Sequence, residues 1–501
     1  MDVRVVASDA AGRHATPLLV LPVLGGGEGQ VLTPELTGAL ADAVRHARED
    51  LRPAEGATVV VNTGLDGGPR RVAFIGMGAA ASLTAEGVRR FVGRAVRTAE
   101  ERRLQALSVH LETLGDVDAV TLARAATEGG TLAAWRFLEL KTEVGRGPDA
   151  EPPAPEVEGL DLLLPGAGRD ASDEGVGVGR AVAAGQLFAR TLQNRPGNVA
   201  TPAHLGEEAE RMAGEVGLHV EVFEPKRIRK ERMHALLAVN QGSDEEARFI
   251  VLRHDGGRKG DPPLVLVGKG LTFDTGGVSI KPAKGMEEMK YDMSGGAAVL
   301  GAMRAVAELD LPLNVVGLVP STENTISGKA LKPGDVIRTR AGKSVEVVNT
   351  DAEGRLILAD ALDYGQELKP AAMVDLATLT GAVVIALGSH AAAVLGTDEG
   401  LIEELREAGE RAGERCWPLP LWDEYRKQLD SDAADFMNVG GRPAGTITAA
   451  AFLREFVGDV PWGHLDIAGT AYGQEPLPYQ RKGGFGFPVR LLVEWVRSRA
   501  R

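Results

Sequence analysis

Three stretches of this chain gather charge among small residues. GKGLTFDTGGVSIKP (268–282) carries Lys269, Asp274 and Lys281, MKYDMSGGA (289–297) carries Asp292, and NTDAEGRL (349–356) carries Asp351, Glu353 and Arg355. Each has an ordinary explanation when taken alone. A lysine after a strand snorkels to solvent, an aspartate makes a turn or caps a helix, and acids near a helix start are favoured by the macrodipole. Four acids and three bases at the strand ends of one sheet are a different matter, because such a charge density calls for a ligand. In extended backbone Asp351, Glu353 and Arg355 would share one face. Two like charges held that close repel unless something positive lies between them. Arg355 can neutralise one acid; a bound cation can neutralise both.

The donor types narrow the chemistry. Carboxylates with neither cysteine nor a paired-histidine motif suit hard divalent cations, and zinc also accepts carboxylate oxygen. The single cysteine, Cys416, makes neither an internal disulfide nor a thiolate zinc site, and it fits a reducing compartment. Glycines 276, 277, 295 and 296 allow close backbone approach to the site. Two ions bridged by shared carboxylates would account for the number of acids.

These residues need a scaffold, and the surrounding runs supply one. KSVEVV (343–348) reads as a strand and LILADALDYGQEL (356–368) as a helix, so the acidic motif sits at a strand-to-helix junction. ARFIVLRHD, PLVLVGKG, NVVGLVP, VEVVNT and AAMVDLATLTG read as buried, largely parallel strands, separated by amphipathic helices such as GAAVLGAMRAVAEL (296–309). This predicts a larger C-terminal, doubly wound α/β domain with a mixed, largely parallel sheet. Ligands of such sheets gather beyond the carboxyl ends of the strands. Upstream, MDVRVVAS, PLLVLPV, TVVVNT, RVAFIGM and ALSVHL alternate with helical patterns such as 33–50, which predicts a smaller N-terminal α/β domain. The segment GRGPDAEPPAPEVEG (145–159) reads as a linker, followed by a strand LDLLLPGA and a helix over about 174–192. The boundary is placed near residue 170, giving domains 1–170 and 171–501.

Composition bounds the partners. The chain has 501 residues, 44% of them apolar and 25% charged, which suits a soluble globular protein with a large core. A formal charge of −14 speaks against a general nucleic-acid or anionic-membrane surface. The N-terminus lacks the pattern of a signal peptide, so the cytoplasm is the expected location. TGAVVIALGSHAAAVLGT (380–397) nearly reaches membrane-span length, but its glycines and the Ser389-His390 pair interrupt it. It reads as a buried strand, turn and strand.

In order and spacing, the three charged segments resemble the leucyl aminopeptidase family, the hexameric two-metal aminopeptidases. NRPGNVATP (194–202), DLATLTGA (375–382) and HLDIAGTA (464–471) add to the likeness, which covers residues 170–501. The resemblance implies a tighter metal held by Lys269, Asp274, Asp292 and Glu353, and an exchangeable one held by Asp274, Asp351 and Glu353. It implies zinc or manganese at these two sites, a bicarbonate at Arg355 and a protonated Lys281 beside the substrate carbonyl. Asp292 would also receive the substrate amino group, while Met289, Thr378, Leu379 and Ala468 would line the side-chain pocket. The expected activity is release of bulky apolar N-terminal residues such as leucine from peptides, by a homohexamer. Another two-metal hydrolase such as a phosphatase, an architectural DNA-binding role and an inactive scaffold are the competing readings.

Overall fold

The computed structural model describes residues 1–8, 14–111, 117–142, 154–165, 169–474 and 477–500. Most of the segment read as a linker, 145–159, lies outside them. The chain divides into two compact units, one of Met1–Ala183 with Glu475–Lys482 and one of Ala184–Gln474 with Gly483–Arg501. The division falls within the helix Arg169–Asn194.

The first unit is a seven-stranded sheet built from β1 (Asp2–Ala7), β2 (Leu19–Gly25), β3 (Val31–Leu32), β4 (Thr58–Asn62), β5 (Arg71–Ala79), β6 (Ala106–His110) and β7 (Gly159–Leu164). Their order is β1-β7-β6-β2-β5-β4, with β3 beside β2. The helix Ala85–Glu101 begins where the Thr84 hydroxyl accepts from Gly87 N at 3.2 Å. The helix Ala119–Ala134 begins at Asp118, whose carboxylate accepts from Thr121 N at 2.9 Å. Each cap satisfies a backbone donor that the helix itself leaves without a partner. A late segment of the chain completes this unit: Tyr479 is fully buried, its hydroxyl bonds Glu86 at 2.8 Å, and Arg97 donates to the carbonyls of Pro478 and Gln480.

The second unit carries a nine-stranded sheet. Its strands are β8 (His219–Phe223), β9 (Arg248–Asp255), β10 (Leu264–Gly268), β11 (Gly270–Asp274), β12 (Asn314–Asn324), β15 (Ala372–Ala377), β16 (Ala392–Gly396), β17 (Cys416–Pro418) and β19 (Trp462–Asp466). A small separate sheet holds β13 (Asp335–Arg338), β14 (Ser344–Val347) and β18 (Phe436–Met437). The main order is β17-β16-β19-β15-β10-β12-β9-β8, with β11 beside β12. The central strands β19, β15, β10 and β12 are mutually parallel, while β9 and β16 join them antiparallel. A mixed, largely parallel α/β sheet is therefore the fold.

Central strands such as LVLVG in β10 are buried along their whole length because helices cover both faces. Val316 and Leu318 of β12 join the core beneath the helix Gly354–Glu367. Gly317, between them, faces Val299 and Met303 of the helix Ser294–Glu308. The carboxyl ends of four neighbouring parallel strands consequently open at one edge.

The run 380–397 departs from the expected strand, turn and strand. Its first half is a helix, Gly381–Leu387, and only its second half is a strand, β16. The Thr380 hydroxyl accepts from Val383 N at 3.3 Å and starts that helix. Apolar β-branched runs of this length carry no periodicity that separates the two states.

Candidate metal centre

Lys269 follows the last residue of β10, and two neighbours fix its backbone: Lys269 N donates to Leu376 O at 3.1 Å, and Gly296 N donates to Lys269 O at 2.7 Å. Its side chain is only 3% exposed and crosses the start of the helix Gly354–Glu367. A Cβ on Gly354 would sit 2.6 Å from Lys269 Cε, so glycine is required there by close approach. Asp274 ends β11 and stands in register with Asn324 of β12, whose amide donates to Asp274 Oδ1 at 2.8 Å. Beyond it the chain folds back, with Lys281 N donating to Thr275 O at 2.9 Å, which returns Lys281 to the cluster.

Six of the seven charged side chains singled out in the three segments meet. Lys269 Nζ lies 2.6 Å from Asp292 Oδ2 and 2.9 Å from Glu353 Oε1. Lys281 Nζ lies 2.7 Å from Asp274 Oδ2 and 2.5 Å from Asp351 Oδ1. Oxygens of Asp274, Asp351 and Glu353 fall within 4.8 Å of one another. Asp292 comes from the 3₁₀ turn Met286–Met293, just ahead of the helix Ser294–Glu308.

Arg355 behaves differently from the expectation of an alternating extended segment. Glu353 already has helical φ and ψ, and Arg355 lies in the first turn of the helix, buried. Its Nη1 donates to Asn438 O at 2.8 Å rather than to an acid, so the two lysines supply the positive charge among the carboxylates. Asn438 was not singled out from the sequence, yet its amide holds the acidic loop through Asn349 O at 2.7 Å and Val348 N at 2.9 Å. Asn324 was missed as well; its position at the carboxyl end of a central strand is the signal that could have found it. Thr378 bonds Asp292, Met289 is half-buried, and Leu379 and Ala468 pack at the margin of the large core.

Electrostatics expose how crowded the cluster is. Burial raises the Asp292 and Asp351 carboxyls above their usual range, with the lysines pulling them back. Burial, then the charge of Asp274, pushes Glu353 up to about 8. Burial alone would lower both lysines, but the surrounding carboxylates more than offset it and raise them. A neutral Lys269 therefore requires cations in the cluster to reverse that balance. The donor set fits them: one lysine nitrogen and four carboxylates, of which the buried Glu353 Oε2 has no hydrogen-bond partner among the described residues.

Comparison with known proteins assigns the family. Residues 187–493 match the cytosol aminopeptidase family catalytic domain, and residues 22–144 match that family's N-terminal domain. The chain belongs to the cytosol aminopeptidase family. It is 43% identical over 497 residues to a probable cytosol aminopeptidase of a Geobacter species, covering 99% of each chain. It is 47% identical over 430 residues to one of Roseiflexus castenholzii, covering 86% of this chain and 87% of that one. Among solved structures, the bottromycin maturation enzyme BotP in complex with Mn aligns with a TM-score of 0.85 at 34% identity, covering 97% of this chain and 100% of the other. As a member of that family the chain is a metal-dependent aminopeptidase, not a phosphatase or an inactive scaffold. Among its described residues no helix is long and apolar enough to cross a membrane.

Proposed function

We propose that this aminopeptidase releases bulky apolar N-terminal residues, leucine among them, using two divalent cations. Lys269, Asp274, Asp292 and Glu353 would hold one ion, and Asp274, Asp351 and Glu353 the other. The observation that carries the reading is the convergence of three carboxylates within 4.8 Å, flanked by two lysines. Two such cations would supply Lewis acidity and lower the pKa of a water to about 7. Lys281, less buried than Lys269, donates to the carbonyl oxygen of the scissile bond as negative charge develops there. Asp292 receives the free α-amino group, which restricts cleavage to the first residue.

Arg355 would hold a bicarbonate that accepts the proton of the attacking water. In support, among the described residues its buried Nε has no hydrogen-bond partner while Nη1 is engaged by Asn438. Met289, Thr378, Leu379 and Ala468 would form the pocket for the first side chain. The proposed setting is the cytoplasm, in keeping with the relatives' names as cytosol aminopeptidases; a homohexamer acting on short peptides is proposed on the family resemblance alone.

The test is metal analysis joined to kinetics. The manganese-loaded chain should bind two ions and hydrolyse leucine p-nitroanilide, and it should leave the N-acetylated compound intact. Light scattering on the same preparation should report six chains. One ion at saturation would end the dinuclear reading, and turnover of the blocked substrate would end the amino-group anchor.

A further inference from the structure

Asp466, the last residue of β19, is fully buried. Among the described residues its hydrogen bonds all come from uncharged donors. Oδ1 accepts from Leu379 N at 3.2 Å, Thr380 N at 3.4 Å and Ala468 N at 3.3 Å. Oδ2 accepts from the Thr380 hydroxyl at 2.6 Å, and that hydroxyl also lies 2.9 Å from Thr446 Oγ1. A carboxylate kept away from water without a bonded cation is costly. What this one achieves is to tie down the turn 378–380, where the chain leaves β15 and enters the helix Gly381–Leu387.

The near end of that turn reaches the metal centre. Thr378 O accepts from Lys269 Nζ at 3.0 Å, and the Thr378 hydroxyl donates to Asp292 Oδ1 at 2.6 Å. A neutral amine has two N–H bonds and one lone pair, so anchoring one N–H on a fixed carbonyl restricts where the lone pair points. Likewise, a hydroxyl on Asp292 Oδ1 sets the rotation of that carboxylate and so the direction of Oδ2. Partners that orient metal ligands in this way typically govern affinity.

We propose that Asp466 is a positioning residue for the tighter metal site, acting through the turn 378–380 on Lys269 and Asp292. It is not itself one of the residues assigned to hold an ion; its bonds run to the turn. The inference rests on the metal reading given above, and the experiment separates the two.

Manganese affinity of the full chain is measured by calorimetric titration after chelator treatment, for wild type, Asp466→Asn and Thr380→Val. Melting of each metal-free chain is recorded alongside. Asp466→Asn keeps the size of the side chain but replaces one acceptor with a donor. It should weaken the tighter site by about 10-fold to 100-fold, with metal-free melting held near that of wild type. Excess Mn²⁺ should restore kcat with KM unchanged, which a collapsed pocket would not allow. Thr380→Val removes only the hydroxyl and should weaken the tighter site less, a result that decides the matter if Asp466→Asn does not fold. Wild-type affinity in the folded variants overturns the inference, as does a loss confined to variants whose metal-free melting falls in step. If wild type itself binds no Mn²⁺, the metal reading fails instead.

Discussion

Lys269 and Lys281 share one group of carboxylates, yet their surroundings differ. Lys269 is 3% exposed, with its amine anchored on Thr378 O; Lys281 is 22% exposed and arrives on a loop beyond Gly276 and Gly277. A ligand role suits the first, and a donor role toward an incoming carbonyl suits the second. Lys269→Met should weaken metal binding, with activity partly recovered by added metal. Lys281→Met should keep both ions and lose kcat by roughly 10²-fold to 10³-fold, as when one oxyanion donor is removed. Metal content and steady-state kinetics of the pair check this, and loss of an ion only from Lys281→Met would exchange the two roles. The charged residues were legible because acids and lysines at strand ends are conspicuous. Asn324, Asn438 and Asp466 were not singled out, since an amide or a lone aspartate gains its role only from what the fold brings beside it.

At the scale of elements, the rule that ligands gather beyond parallel strand ends points to Lys269 and Asp274, which stand at such ends of the main sheet. Asp351 and Glu353 instead follow β14 of the small separate sheet and Asp292 lies in a 3₁₀ turn, so the cluster is not built from the ends of one sheet. Less legible were the states of short apolar runs, as 380–387 shows, and the ties between helices. One such tie bears on the site. Asp360, on the helix that begins beside Glu353, accepts from Leu236 N at 3.0 Å and Arg340 N at 2.7 Å. Burial pushes its carboxyl up to about 7 from the ordinary 3.8, while those backbone donors pull it down. Between the two values the folded chain binds a proton that the unfolded chain does not. The stabilisation from this group is therefore full below pH 3.8 and is lost as pH rises through about 7. Asp360→Asn has no proton to lose and gives up one accepted bond, at a cost of about 1–3 kcal/mol. In urea unfolding of the metal-free chain, the stability advantage of wild type over Asp360→Asn should shrink between pH 5 and pH 8. An advantage that stays constant or grows would contradict this assignment.

For the whole molecule, alternating strand and helix patterns announced two α/β parts, because each part repeats the periodicities that build a core of its own. No local pattern announced that the segment around Tyr479, some 300 residues beyond the rest of the first unit, completes that unit's packing. Its side chain is polar at one end and its neighbours are prolines and charged residues, so nothing marks it as core. In the fold, Tyr479 is fully buried against the helix Ala85–Glu101, where a Cβ on Gly93 would come within 2.9 Å of Tyr479 N. Arg481 adds bonds to Glu100 at 2.8 Å and to Trp135 O at 2.7 Å. Tyr479→Ala removes an aromatic ring from this core and breaks the bond to Glu86, which should destabilise the first unit by about 3–5 kcal/mol. Because the metal ligands and their supporting turn all lie in the second unit, its manganese affinity should stay at the wild-type value. Calorimetry should then show an earlier transition for the first unit and an unshifted one that still responds to added Mn²⁺. A drop in metal affinity alongside the earlier melting would show instead that the packing around Tyr479 is coupled to the metal centre.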